Sequence, residues 1–176
     1  KYEVTQAQYE AVMMGNTETN STGHVISATP SYWHGNPNRP VEKVSWDDVQ
    51  IFLSRLNAQQ AANMPTGWAY ILPTESQWEY ACRAGTNTAY YWGNDINATR
   101  ANYDASGLGQ TRDVGYYAAN PWGFFDMHGN IREWTADWFQ AAYPPGNPVV
   151  DPTGPASGSN RVYRGGSWSN DGTALR

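Results

Sequence analysis

The sequence predicts an α+β fold, rich in loops, with about three helices and a few short strands. Three observations predict it. Three helix-start signatures led by a hydroxyl residue each precede an apolar stripe at helical spacing. Seventeen Gly and eleven Pro, among many Asn, leave long stretches with no periodicity. Nine Trp and twelve Tyr point to a core built from flat, rigid side chains with polar tips.

The first helix begins at Thr5-Gln-Ala-Gln8, which fits a capping box, and carries Tyr9, Val12 and Met13 on one face. From Gly15 to Arg39 the chain is polar and aperiodic, as a long surface loop is. Pro40–Val44 is expected as a short strand feeding the second helix. That helix opens on Ser45-Trp-Asp-Asp48, a looser box with Asp in the reciprocal place. Val49, Phe52, Leu53 and Leu56 then form a helical stripe. Trp68–Leu72 has strand composition and ends at Pro73. The third helix starts at Thr74-Glu-Ser-Gln77, carries Trp78, Ala81 and Cys82, and stops near Gly85. Asp47, Asp48 and Glu75 lie in first turns, where the helix dipole favours negative charge, so they count as structural rather than as acid–base groups.

Beyond the helices, Ala89–Trp92 has strand composition and meets a Gly-Asn turn. The chain is irregular from Asp95 to Gln110, and Asp113–Tyr117 is a short extended piece. A Pro/Gly-rich loop spans Tyr143 to Asn160, and Arg161–Arg164 is a late strand opening into Gly165-Gly-Ser-Trp168. Asp137 and Asp151 are expected as turn or cap residues. One domain over residues 1–176 is expected, clipped at both ends, because Lys1-Tyr-Glu-Val-Thr5 resembles a strand interior and Thr173–Arg176 stops without a turn.

Composition excludes several function classes. The net charge of −5 and pI near 5.0 argue against a nucleic-acid partner. Mean hydropathy is −0.68, and no apolar run approaches a membrane span. Cys82 is the only cysteine, so an intrachain disulfide and a Cys-rich metal site are both impossible. It is expected as a small buried hydrophobe on the third helix. His24, His34 and His128 are scattered and lack the spacing of a metal triad.

The most informative segment runs from Gly123 to Phe139. It gathers Phe124, Phe125, Trp134, Trp138 and Phe139 around the Gly129-Asn130 pair, between Asp126 and Glu133. Carboxylates flanking a tight loop suit a hard cation such as calcium, which takes about six to eight oxygens. A capped turn packed by Trp134 and Trp138, with no ion, is the alternative.

Four ordered stretches carry a family resemblance: Pro40 to Asp48, Leu72 to Tyr80, Gly123 to Phe139, and Arg164-Gly-Gly-Ser-Trp168. Together they resemble the sulfatase-modifying-factor family, founded on the formylglycine-generating enzymes, over nearly the whole chain. The resemblance implies a C-type-lectin-like fold. In those enzymes a cysteine pair just after Arg-Gly-Gly-Ser holds copper(I), and oxygen then converts a sulfatase cysteine to formylglycine. Soft thiolates are what copper(I) needs. Here the matching stretch, Ser169 to Arg176, has no cysteine, so no copper is expected and no catalytic residue is assigned.

The resemblance also implies calcium. Position by position it assigns Asp126, Gly129, Ile131 and Glu133 to one site, with Gly129 and Ile131 contributing carbonyls. Asn102 and Tyr103 match the opening of another site, whose remaining ligands lie in an insertion this chain lacks. Arg132 stands where the family usually has Trp. The expected function is a calcium-stabilised, non-catalytic module, of bacterial type and extracytoplasmic. It would bind a peptide, protein or glycan through Ser167, Trp168, Asn170 and Asp171. The alternative is an oxidase acting on a sulfatase cysteine.

Overall fold

The computed structural model describes residues 1–142 and 150–176. These form two compact units, Glu3–Ile71 and Lys1–Tyr2 with Leu72–Arg176. The expected Pro/Gly-rich loop from Tyr143 therefore lies partly outside the described residues.

In Glu3–Ile71, α1 spans Gln6–Met13 and α2 spans Trp46–Gln60. Both start on the expected capping boxes: Thr5 and Ser45 accept from Gln8 and Asp48 N–H, and those side chains accept in return. The two helices pack through Tyr9 and Phe52, whose rings stack at 5.1 Å. Val12, Met13, Ile26 and Val41 complete that core. The carbonyl of Val12 would be an orphan at the end of α1, and Arg55 Nε and Gln59 Nε2 each donate to it at 3.1 Å. A short 3-10 turn, Ala61–Asn63, follows α2.

Two expected strands in this unit are not strands. Pro40–Val44 makes a single bridge, Thr5 to Pro40. Trp68–Leu72 has no strand partner among the described residues. Asn57 of α2 instead accepts from Tyr70 N–H at 2.7 Å and donates to Tyr70 C=O at 3.0 Å. One side-chain amide thus supplies what a neighbouring strand would.

In the other unit α3 spans Glu75–Arg83, with the full capping box at Thr74 and Gln77. It ends through Ala84, which itself takes a left-handed conformation one residue before Gly85. The sheet has two antiparallel strands, β1 at Glu133–Trp138 and β2 at Arg161–Arg164, with a register shift between Trp134 and Trp138. Strand β2 matches expectation, whereas β1 was not foreseen inside the aromatic segment. Ala89–Trp92 is a tight turn bridged between Tyr90 and Gly93, and Asp113–Tyr117 has no strand partner.

Helix α3 is tied to the sheet from both strands. Asp137 of β1 accepts from the Glu75 N–H at 2.6 Å, as a second cap on the helix. Arg164 of β2 pairs with Glu79, and its Nε lies 3.7 Å from Glu75. The expectation that Asp137 is a cap residue and Glu75 a structural one matches this arrangement. The unit holds two apolar clusters, one of Trp78 and Cys82 from α3 with Met127, the other of Tyr90, Ala101, Tyr103 and Leu175.

Candidate functional site

The loop between Asp126 and β1 is organised by Asn130. It is almost fully buried, with φ at 62°. Its side-chain oxygen accepts from Arg112 N–H at 2.8 Å and Asn102 Nδ2 at 3.1 Å. Its backbone N–H donates to Asn102 C=O, and its own carbonyl accepts from Trp168 N–H at 2.9 Å. One residue therefore joins three loops far apart in sequence. The Gly-Asn pair was legible as a turn, but its role as the junction was not, because the partners lie 18 to 38 residues away in sequence.

Gly129 is required beside it. It forms a parallel bridge with Asn102, and a Cβ there would stand 2.2 Å from the Asn102 carbonyl oxygen. The structure thus brings Asn102 directly onto the loop that holds Asp126 and Glu133. Asn102 enters that cluster through protein bonds: its amide donates to Gln110 C=O at 2.9 Å, and its side-chain oxygen accepts from Ser106 at 2.9 Å. The Tyr103 carbonyl accepts from Ser106 Oγ at 2.7 Å and Ser106 N–H at 3.0 Å. Both residues of this pair thus carry protein hydrogen bonds that close a turn.

Asp126 and Glu133 differ. Asp126 is buried, in a left-handed conformation, and one carboxyl oxygen accepts from Gly115 N–H at 2.5 Å. One carboxyl oxygen of Glu133 accepts from the Trp78 indole at 3.1 Å. Neither makes an ion pair among the described residues. Burial pushes the Asp126 carboxyl up to about 6, against the pull of the Gly115 N–H. Burial first, and then the Asp126 charge, push Glu133 up to about 7, although the indole bond opposes this. Two desolvated carboxyls that repel each other, each with an oxygen left over, suit a hard cation. Among the described residues no group of three or more His, Cys, Asp or Glu could hold a metal. A shell here would therefore be completed by carbonyls such as those of Gly129 and Ile131, and by water.

The lone thiol is not poised for chemistry. Cys82 is buried, and burial pushes its thiol up to about 12. It lies 3.7 Å from Met127 C=O and 3.5 Å from His128 Nε2. His128 Nδ1 sits 2.6 Å from Leu175 C=O, which can only accept, so Nδ1 carries the proton. Nε2 then accepts from the Tyr91 N–H at 3.3 Å, and the thiol proton can go to Met127 C=O. Burial lowers the affinity of this imidazole for a second proton. The result is a neutral, protonated thiol and a neutral imidazole packed inside the unit. Soft-metal binding needs a thiolate.

The expected ligand residues form one corner after β2, with Ser167, Trp168 and Asn170 half-buried and Asp171 exposed. The Ser167 hydroxyl donates to Asn170 Oδ1 at 2.9 Å and lies 3.2 Å from Ser169 Oγ. Asn170 C=O accepts from Asp104 N–H at 3.0 Å. Asp171 caps a 3-10 turn, Gly172–Leu175, by accepting from Thr173 N–H at 2.7 Å. Trp168 is half-buried, its N–H on Asn130. Arg132, exposed, reaches the same corner and donates to Asn170 Oδ1 at 3.2 Å. The sequence singled out Arg132 only as a departure from pattern. Its contact with Asn170 could not be read there.

Comparison with known proteins agrees with this architecture. A profile of the sulfatase-modifying factor enzyme 1-like domain matches residues 1–176. The formylglycine-generating enzyme of Streptomyces coelicolor is 35% identical over 148 residues, covering 76% of this chain and 43% of its own. The inactive C-alpha-formylglycine-generating enzyme 2 of Bos taurus is 30% identical over 149 residues, covering 77% of this chain and 41% of its own. The solved structure of Treponema denticola variable protein 1 superposes with a TM-score of 0.80 at 27% identity, covering 99% of this chain and 76% of that one. The chain spans under half the length of the curated relatives it matches first.

Proposed function

The chain belongs to the sulfatase-modifying factor enzyme 1-like family, and from that premise we propose a binding module braced by calcium rather than an oxidase. The observation that carries this is the state of the sulfur. One cysteine is present in the whole chain, and it sits buried and protonated between Met127 and His128. The stretch after Arg164-Gly-Gly-Ser167 offers Ser169, Asn170 and Asp171, which are hard oxygen and nitrogen groups. A bovine relative named as inactive belongs to the same similarity range.

Calcium at Asp126 and Glu133, with the carbonyls of Gly129 and Ile131, would neutralise two carboxyls that otherwise repel in a desolvated loop. Asn102 and Tyr103, which open the further site implied by the family, pin a neighbouring turn against that loop through protein bonds. The corner of Ser167, Trp168, Asn170 and Asp171 is the ligand face, for a peptide, protein or glycan. No helix among the described residues is long and apolar enough to cross a membrane. An extracytoplasmic setting, where calcium is plentiful, suits the proposed ion.

The alternative is a formylglycine-generating oxidase, favoured by the 35% identity to the Streptomyces coelicolor enzyme. Titration with copper(I) under reducing conditions separates the two. The module reading expects no stoichiometric copper and no oxygen uptake with a sulfatase-type cysteine peptide. Tight copper binding with turnover of that peptide establishes the oxidase instead.

A further inference from the structure

Arg132 is a guanidinium held in place without a carboxylate. Its Cζ lies 4.9 Å from the centre of the Tyr163 ring, and Tyr163 is 48% exposed. Tyr163 is in turn braced edge-on by Trp134, its partner across the sheet, at 5.8 Å. The other end of the guanidinium is fixed by Asn170 Oδ1. Arg132 makes no ion pair among the described residues, unlike Arg55, Arg83 and Arg164. A stacked, hydrogen-bonded arginine has lost much of its freedom before any ligand arrives, which is how bidentate anion sites are made.

The arginine also fixes the orientation of Asn170. A guanidinium can only donate, and so does the Ser167 hydroxyl in this geometry, so the amide oxygen faces both of them. The Asn170 amide nitrogen is then turned away from both as a further donor. Ser169, exposed, has its Oγ 3.2 Å from Ser167 Oγ. The nearest acid in sequence, Asp171, spends its Oδ1 on the N–H and hydroxyl of Thr173. The face therefore presents the remaining guanidinium N–H groups and the Asn170 amide as donors, while Ser169 Oγ, whose proton goes to Ser167, and the second carboxylate oxygen of Asp171 remain as acceptors.

From this we infer that the ligand face takes an acidic peptide, whose side-chain carboxylate is gripped by Arg132 and whose neighbouring backbone carbonyl meets the Asn170 amide. The inference rests on the module reading above and names its ligand class. A carboxylate is favoured over a neutral group because it can take two of the remaining guanidinium N–H groups at once, as a charge-assisted, bidentate pair. Tyr163 and Trp134 give the peptide an apolar rim.

The test is fluorescence polarisation with labelled hexapeptides, one Glu-rich and one with each Glu replaced by Gln, alongside an uncharged oligosaccharide. The Glu peptide is expected to bind about tenfold or more tightly than the Gln peptide, with salt weakening it. Arg132→Gln is expected to abolish that preference, and Arg132→Lys to restore part of it, since the charge returns without the planar fork. Arg132 is exposed, so an unchanged melting curve establishes that each variant is folded. Equal binding of the Glu and Gln peptides, with both lost in Asn170→Ala, overturns the acidic ligand and leaves the module reading standing. Binding of the Glu peptide that neither Arg132→Gln nor Asn170→Ala alters overturns both. Retention of the oligosaccharide alone, or of no probe, overturns the acidic peptide.

Discussion

At Gly129 the chain passes so close to Asn102 that a side chain has nowhere to go, and φ is 93°. Gly129→Ala combines a strained backbone with a backbone collision. It is expected to cost roughly 2–5 kcal/mol, read as a fall in the urea midpoint at unchanged slope. Asp126 and Glu133 set a pH dependence whose sign follows from their direction of shift. In the fold they rise to about 6 and about 7, above ordinary values of 3.8 and 4.5. Without metal, the folded chain holds these protons more tightly than the unfolded chain does. Their contribution is therefore fully present below about pH 4 and is lost as pH rises through about 6 to 7. Calcium needs both groups ionised, so its stabilisation grows over the same window. The melting temperature gained on adding calcium to chelator-treated protein is expected to be larger at pH 8 than at pH 5. Asp126→Asn should flatten that difference. An equal gain at both pH values counts against the site.

Elements in this chain are set by their ends as much as by their faces. Helices α1, α2 and α3 all begin on reciprocal boxes, and substituting Thr5, Ser45 or Thr74 by Ala is expected to cost about 1 kcal/mol each. Helix α3 has a second cap from the sheet. Asp137→Ala leaves the Glu75 N–H without its carboxylate, and a loss of about 1–3 kcal/mol is expected in chemical unfolding. Glu79 carries a linkage of the opposite sense from the calcium pair. Burial raises its carboxyl, but the Arg164 and Arg83 contacts outweigh this and hold it below its ordinary value. That stability is present above the ordinary carboxylate range and is lost as acid protonates Glu79. A comparison of Glu79→Gln with the parent chain between pH 3 and pH 7 should show the difference growing with pH. The helices were legible because capping and a helical stripe are local. Strand β1 was not, since its residues were equally compatible with a packed loop and its partner β2 lies across more than twenty residues of sequence.

For the molecule as a whole, calcium should act as a folding ligand. An ion that binds only the folded state stabilises by mass action, about 2.7 kcal/mol when present at a hundredfold its dissociation constant. Chelation is expected to lower the melting temperature, and Asp126→Ala should make the melt indifferent to chelator. A chelator-insensitive melt of the parent chain removes the proposed ion. Aromatic packing would then be what holds these loops, as the stacking of Tyr90 on Trp92 at 5.2 Å and of Arg161 over Trp138 at 3.5 Å already suggests at two places. The expected strands at Pro40–Val44, Trp68–Leu72 and Ala89–Trp92 had the right composition but, among the described residues, nothing beyond isolated bridges to pair with. Strand composition describes a side chain's preference, whereas a strand exists only when another backbone meets it.

By itself the sequence determined the helix starts, the loop-rich α+β character, the family and the presence of a single thiol, because each depends on residue type or on neighbours within a few positions. Only the tertiary structure decided that Asn130 joins three loops, that Asn102 is engaged by protein bonds, and that Asp126 and Glu133 are desolvated together. It also decided that Arg132 stands between Tyr163 and Asn170. The physical reason is common to all of these. Burial, charge coupling and hydrogen-bond pairing are properties of distances, and here they join residues that the chain order keeps far apart.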